Sequence, residues 1–424
     1  MQELMALIFA SDEGTGMKSS EAKYAHKICG QAMVSYAIES SIEAGSANMA
    51  IILDQCGDNV KELLPENAVI TIKTGIPGLW DAIWQEKHIL DNRNGTLLVF
   101  PADYPILMGD TLKAAFIYHI ENNNQATVLT TSKGDLSDIC FIDIKSLDTV
   151  LSALKNEDGE KVISLSDILR SVEAIGQKIS GFSISNPEEL LKVDDRIKLD
   201  EAEQIILKRI IRKHMENGVT FHLPHTSYIH AKVHIGKDTV IQPGTILEGN
   251  TIIGERCLIG PYSRIEDGII GNDVSFMNSV MIRSQIGDNT KVGPFAYIRP
   301  GSNIGNNTKI GDFVEIKNSM IGDNSKISHL SYIGDANVGV NVNVGCGAVV
   351  VNYDGKKKHR TFIGDNAFVG CNVNLVSPVT IKDNAYIAAG STITDEVPEY
   401  ALAIARSRQT IINEWVIKKG LDKK

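Results

Sequence analysis

The chain has 424 residues, 43% hydrophobic and 22% charged, enough to bury a sizeable core in two or three domains. Its formal charge of −10 argues against a nucleic-acid partner or an anionic membrane surface, since both need a basic face. The six cysteines (Cys29, Cys56, Cys140, Cys257, Cys346 and Cys371) form no C-x-x-C pair, and no apolar run approaches the ~20 residues of a membrane helix, so the expected setting is reducing and cytoplasmic, without a disulfide framework.

From the N-terminus, residues 5–11, 50–54, 69–74, 96–103 and 126–131 are apolar, β-rich runs. Helix-like segments separate them near 33–44, 57–64, 78–91 and 110–121, and W-D-A-I-W at 80–84 reads as an amphipathic core helix. That alternation predicts a βαβ series, an α/β domain with a parallel, doubly wound sheet and ligands at strand C-terminal ends. Residues 196–218 carry apolar residues at helical spacing and stop at Gly218, which predicts a connecting helix. His222, His225, His230 and His234 follow at irregular spacing with no nearby Cys to complete a zinc set.

The rest of the chain is rich in glycine, with 21 of the 36 glycines between residues 223 and 400. Ile or Val is followed directly by Gly fourteen times after residue 223. Ile286, Val292, Ile298, Ile304, Ile310 and Ile316 fall six apart, as do Ile363, Val369, Leu375, Ile381, Ile387 and Ile393. A period of six matches neither a helix nor a long strand, but it fits the hexapeptide signature of a parallel β-helix. The aliphatic residue points into a triangular prism, and Gly with the next Asp or Asn turns the corner where positive φ is needed. Residues 228–396 then make roughly nine coils, each rising by one strand spacing of ~4.8 Å. The expected domains are 1–195 for the sheet domain, 196–222 for the connecting helix, 223–400 for the β-helix and 401–424 for a C-terminal tail.

Polar residues interrupt this repeat in a specific order. G-P-F-A-Y-I-R-P-G at 293–301, V-E-I-K at 314–317, H-L-S-Y-I-G-D at 329–335, N-V-G-C-G-A-V-V-V-N-Y-D-G at 343–355 and A-I-A-R at 403–406 stand in one succession. Hexapeptide regularity alone would not place them. Together with the first half, they resemble the family of bifunctional N-acetylglucosamine-1-phosphate uridyltransferase/glucosamine-1-phosphate N-acetyltransferases, cytoplasmic enzymes that make UDP-N-acetylglucosamine. The resemblance implies a Rossmann-like nucleotidyltransferase domain, a left-handed parallel β-helix of hexapeptide repeats and a homotrimer whose subunits share each acetyltransferase site.

Acetyl transfer from a thioester to an amine needs a base, and a histidine near its ordinary pKa suits that task. His329 matches the family's catalytic base. Arg299 and Lys317 match its phosphate-binding pair, with Lys358 a further substrate-contacting lysine. Tyr332 and Asn343 match residues that hydrogen-bond the amino sugar. The resemblance assigns Asn352, Tyr353, Ala389 and Arg406 to acetyl-CoA, together with Cys346 and Cys371, which stand where Ala and Ser are usual. Lys358 lies in a stretch that interrupts the hexapeptides between Val350 and Ile363. In the family such a loop folds over a neighbouring subunit.

The N-terminal half departs from the family. A phosphate loop L-A-A-G-x-G-T-R-M, followed by P-K, is expected, and F-A-S-D-E-G-T-G-M-K-S-S-E-A-K stands at 9–23. Gly14, Thr15, Met17 and Lys23 remain. Gly16 replaces the arginine, Ala22 replaces the proline, and Asp12 and Glu13 add two carboxylates. At ~5 Å and an effective dielectric of ~20, each pair of like unit charges costs roughly 3 kcal/mol, so these acids repel a nucleotide phosphate. The base-reading motif is altered to K-T-G-I-P-G-L-W at 73–80. Asp103 matches the family's magnesium ligand, and Asp194 stands where a second ligand, normally Asn, is expected, so two carboxylates remain to hold magnesium. The expectation is an acetyltransferase using acetyl-CoA whose uridyl transfer has been lost. The alternatives are an enzyme that is still bifunctional, or an acetyltransferase for another amino-sugar phosphate with a regulatory or binding N-terminal domain.

Overall fold

The computed structural model describes residues 3–10, 15–46, 48–53, 69–72, 78–85, 90, 94–154 and 163–422. They fall into two compact units, Met1–Arg209 and Ile210–Lys424.

The first unit is built on a seven-stranded sheet in the order Val69–Ile72, Asn48–Leu53, Leu4–Ala10, Thr96–Pro101, Leu136–Asp143, Ala126–Thr130, Ile179–Ser183. All seven residues of Leu4–Ala10 are buried, as a central strand covered on both faces requires. The first four strands are parallel, in keeping with the βαβ pattern. Leu136–Asp143 is antiparallel to both of its neighbours, so the sheet is mixed at one strand. The cause is a tight hairpin: Thr131 N–H donates to Asp135 O (3.0 Å) and Gly134 N–H to Thr131 O (3.0 Å), with Gly134 at φ +88°. A turn this short can return the chain only antiparallel. Helices Met33–Glu43, Leu79–Gln85 and Gly109–Glu121 fall where the sequence predicts them, and Trp80 is buried in the core. The segment 57–64 lies outside the described residues. Strand order reverses between Leu4–Ala10 and Thr96–Pro101, so the crevice at their carboxyl ends holds Thr15–Met17 and Asp103.

Helix Arg196–Glu216 carries the chain between the units and ends at Gly218, whose φ of +91° breaks the helical path. The β-helix then starts earlier than residue 223, because Thr220–Phe221 already pairs with Val240–Ile241.

The second unit has three parallel sheets of 11, 10 and 9 strands. Between residues 228 and 396 this gives roughly nine coils, as expected, and the first sheet extends beyond them at both ends, from Thr220–Phe221 to Leu402–Ala403. Aliphatic residues stack in register along the interior. Ile298, Ile316 and Ile333 follow one another in the second sheet, and Ile310, Ile327 and Val344 in the first, all buried.

The corners refine the expected role of glycine. Positive φ falls on Asn289, Asn307, Asn324 and Asn366, not on the glycine two residues before each. That glycine is needed for space: a Cβ on Gly287 would lie 2.6 Å from Asn306 Oδ1, and one on Gly305 or Gly364 would collide with Asp323 or Asp383. These Asx side chains accept backbone N–H bonds from the preceding coil. Asn306 accepts from Asp288 (2.8 Å), Asp323 from Asn306 (2.7 Å) and Asp383 from Asp365 (2.8 Å).

Ile327 is completely buried, whereas Ile252 is 46% exposed. Ile327→Ala should therefore lower stability by roughly 2–5 kcal/mol, and Ile252→Ala should stay within about 0.5 kcal/mol of the parent, both read from urea unfolding midpoints.

Candidate active site

Positions 17 or 18 residues apart stack on successive coils, and that spacing gathers the candidate side chains. Tyr297 pairs with Glu315 and Glu315 with Tyr332 in the second sheet, one residue ahead of a row formed by Ile298, Ile316 and Ile333. Arg299, just past Tyr297–Ile298, and Lys317, the last residue of Glu315–Lys317, follow the buried Ile298 and Ile316, so their side chains share one face.

Two carboxylates order this face. Arg299 Nη1 donates to Glu315 Oε1 at 2.7 Å. Asp335, 6% exposed, receives Lys317 Nζ (3.2 Å) and Asn352 Nδ2 on Oδ2, and Asn318 Nδ2 on Oδ1 (2.6 Å). Burial raises the Asp335 carboxyl, but the bonds from Asn318, Lys317 and Asn352 prevail and hold it below the usual carboxylate range. Asn352 also lies 3.4 Å from the Tyr332 hydroxyl. Gly334 leaves room for that ring, since its Cβ would run into the Tyr332 hydroxyl. Asn352 therefore stands with the sugar-phosphate candidates.

The inserted loop is a hairpin closed on its own chain. Tyr353 and Lys358 form an antiparallel bridge, and the Tyr353 hydroxyl donates to Gly355 O (2.7 Å). Asp354 accepts N–H bonds from Lys356 and Lys357 and from His359 Nε2, each 2.7 Å, with its carboxyl held low chiefly by the Lys357 N–H and His359. Arg360 Nη2 fastens the returning strand to Asn318 O at 2.9 Å. Lys358 thereby lies against Lys317 of the same chain. Its pKa is pulled below the ordinary lysine range, first by that contact and then by repulsion from the Lys317 charge. Three cations, Arg299, Lys317 and Lys358, face two carboxylates, and the surplus positive charge suits a phosphate.

His329 ends the strand Lys326–His329 in the first sheet and reaches the corner that leads to Tyr332. Its Nδ1 is hydrogen-bonded to Asp312, the residue in register one coil below. The bond to His329 is the first cause holding the Asp312 carboxyl below its usual range. A carboxylate accepts, so Nδ1 is the donor and Nε2 is left to take a proton. The sequence reading missed Asp312 and Asp335. The coil period would have found both, since Asp312 stands 17 residues before His329 and Asp335 18 after Lys317.

A column of small residues climbs the same corner from His329. Gly347 N–H donates to His329 O (3.2 Å), Asn372 N–H to Cys346 O (2.8 Å) and Gly390 N–H to Cys371 O (2.8 Å). A Cβ on Gly370 would lie 2.6 Å from Ala389 N, and one on Gly390 would lie 3.9 Å from Arg406 Cδ. Cys346, Cys371, Ala389 and Arg406 thus occupy successive steps of one column with the histidine at its foot. Asn343 stands apart on the first sheet, in register between Lys326 and Phe368. Within one chain it does not join Tyr332.

In the first unit, Asp103 is 2% exposed, and its Oδ2 takes the Lys23 ammonium at 2.7 Å. Burial raises its carboxyl against the pull of Lys23 and Lys192, and Oδ1 is buried without a hydrogen-bond partner among the described residues. Asp194 is exposed, and Val193 N–H donates to Asp103 O at 2.8 Å, so the two aspartates are neighbours. An unpartnered buried oxygen and a nearby carboxylate fit a magnesium ion that draws its remaining ligands from water and phosphate. Gly16 packs on this segment, and a Cβ there would strike the Asp194 carbonyl oxygen. No side chain, and so no arginine, fits at position 16 in this arrangement. Asp12, Glu13, Gly14 and residues 73–77 lie outside the described residues. The histidine run serves backbone contacts: His230 Nδ1 accepts from Gly249 N–H (2.9 Å), and His234 Nδ1 bonds Lys232 O (3.0 Å). Among the described residues no helix is long and apolar enough to cross a membrane.

The family model for bacterial transferase hexapeptide (six repeats) matches residues 232–267, 283–318 and 360–395. The chain is 45% identical to the bifunctional protein GlmU of Acetivibrio thermocellus, over 99% of both chains. It is 44% identical to the bifunctional protein GlmU of Caldanaerobacter subterraneus, over 99% of this chain and 100% of the relative, and 44% identical to that of Clostridium beijerinckii, over 99% of both. The first of these alignments runs over 456 positions, more than the 424 residues of the chain, so that relative carries residues that this chain lacks.

His329→Ala removes the leading influence on Asp312, so the Asp312 pKa should rise toward ~3.9 in a carboxyl NMR titration. With His329 present, the lowered pKa means that the bond stabilises the fold above that ordinary value and is lost as pH falls through the lowered one. An unchanged Asp312 titration would show that the bond is not formed in solution.

Proposed function

The chain belongs to the GlmU family of bifunctional proteins, and from that premise we propose that its hexapeptide half transfers an acetyl group from acetyl-CoA to the amine of glucosamine-1-phosphate. The reaction serves UDP-N-acetylglucosamine biosynthesis in the cytoplasm, and the protein works as a homotrimer. The observation that carries this reading is the corner column, which sets a histidine oriented by a carboxylate at the foot of successive small residues, beside a face of three cations.

Each group then has one task. Arg299, Lys317 and Lys358 bind the sugar phosphate, with Asp335 and Glu315 fixing the cations. Tyr332 and Asn352 hold the sugar so that its amine faces His329 Nε2. The cofactor lies along Cys346, Cys371 and Ala389, with Arg406 taking its phosphates and Tyr353 beside it. His329 accepts the amine proton as the nitrogen attacks the thioester carbonyl, and the electron pair of the broken C–S bond leaves with CoA as thiolate. No covalent acyl-enzyme forms. Asn343 lies on a different face of its own chain from Tyr332, which supports a site completed by a second copy.

Uridyl transfer is lost in this reading. Asp103 and Asp194 would hold magnesium, which would neutralise triphosphate charge. Yet the loop residue that should stabilise that phosphate is Gly16, whose surroundings admit no side chain.

Mixing the protein with acetyl-CoA and glucosamine-1-phosphate should release free CoA, and His329→Ala should lower kcat by roughly 10²–10⁴-fold. Full activity in that variant would overturn the assignment of the base. Lys317→Ala should raise KM for the sugar phosphate roughly 10- to 100-fold, as loss of a hydrogen bond to a charged group predicts, with KM for acetyl-CoA little altered. Incubation with UTP, magnesium and N-acetylglucosamine-1-phosphate should give no pyrophosphate; its appearance would make the protein bifunctional despite Gly16.

A further inference from the structure

The five cysteines among the described residues divide by burial, Cys56 lying outside them. Cys29, Cys140 and Cys257 are buried, and desolvation pushes the first two thiols up to about 12 and raises the third, so they are poor nucleophiles. Cys346 is half-buried and Cys371 exposed. Their 25-residue separation hides their relation, because the inserted hairpin lengthens that coil. Asn343–Val344 and Phe368–Val369 pair in register, which places the two cysteines at the same step of successive coils. The backbones are close there: a Cβ on Gly345 would lie 3.0 Å from Cys371 Cα. Successive coils are ~4.8 Å apart, inside the 4.4–6.8 Å that Cα atoms span in a disulfide.

From this register we propose that Cys346 and Cys371 form a thiol–disulfide exchange site for disulfides of coenzyme A, an inference that rests on the cofactor lying along this corner. The Cys371 thiolate, the more exposed of the two, attacks one sulfur of CoA disulfide; the S–S bond breaks, one CoA leaves as thiolate, and a Cys371–CoA mixed disulfide remains. The Cys346 thiolate then attacks the Cys371 sulfur and expels the second CoA, leaving a Cys346–Cys371 bond. Two protein thiols are oxidised, one CoA disulfide is reduced to two thiols, and the two cysteine protons pass to water or the leaving thiolates. The mixed disulfide fills the corner that the thioester needs, and the Cys346–Cys371 bond reshapes it, so acetyl transfer stops until an external thiol reduces either product. The column and Arg406 select a disulfide carrying the nucleotide of CoA over a small peptide disulfide.

The test treats the full-length reduced protein with CoA disulfide or with oxidised glutathione, followed by intact mass, peptide mapping and CoA-release assay. CoA disulfide should react about tenfold faster than oxidised glutathione, acetyl-CoA should slow it, and the product should be lighter by two hydrogens with residues 346 and 371 cross-linked. Cys346→Ala should stop at a stable CoA adduct on Cys371. Acetyl transfer should vanish on oxidation and return with dithiothreitol. Thiols at 346 and 371 that stay reduced, equal rates with both disulfides, or a cross-link mapped to other cysteines would each overturn the proposal. If the reduced protein transfers acetyl groups but its thiols are inert, the thiol site alone fails; selective exchange in a protein without acetyl transfer would uphold that site and overturn the transferase reading.

Discussion

Every functional position in the second unit depends on how one coil is held to the next. The parallel backbone ladder sets the rise, and Asp or Asn side chains at the corners reach one coil back to accept an N–H. Each Asx side chain fills the space where a neighbouring residue would carry its Cβ, so the neighbour is glycine. Hydrogen bonding between coils therefore accounts for one set of the glycines, while another, including Gly244, Gly260, Gly293 and Gly390, sits at positive φ. Because a buried backbone N–H left unsatisfied is costly, this arrangement resists slippage of register. A site spread over successive coils from Arg299 to Arg406 needs that resistance: a one-residue slip would turn every side chain to the other side of its strand.

The consequence is a site written at intervals of 17 or 18 residues. Asp312 reaches His329, Lys317 reaches Asp335, and Asp335 reaches Asn352, each across one coil step. The coil steps alone bring His329, Arg299 and Lys317 to neighbouring positions, with one addition. Lys358 arrives through the hairpin, and Asp354 closes that hairpin through three hydrogen bonds, making the loop a rigid extension of the coil.

The hexad period, the interior aliphatic stacks and the positions of His329, Arg299 and Lys317 were legible because each is a local pattern along the chain. Asp312 and Asp335 were not, since an aspartate before a corner looks like any other turn residue until the coil length is counted to the residue above. The antiparallel strand Leu136–Asp143 escaped because its first residues alternate buried and exposed, unlike the continuous apolar runs before it. The relation of Cys346 to Cys371 was hidden by the hairpin, which lengthens one coil beyond the period. Asn343 shows the opposite difficulty. Resemblance groups it with Tyr332, yet the prism turns the chain between them onto another face.

The two units differ in how their candidate sites are held. In the β-helix, backbone hydrogen bonds from Gly347, Asn372 and Gly390 to the corner carbonyls join the successive steps of the column at Cys346 and Cys371. In the sheet unit, the crevice depends on single side chains supplied by a loop. There Gly16 lies against the Asp194 carbonyl, and the buried Lys23 ammonium neutralises Asp103. That ammonium offsets only part of the desolvation of Asp103, since burial still raises its carboxyl and Oδ1 has no partner among the described residues.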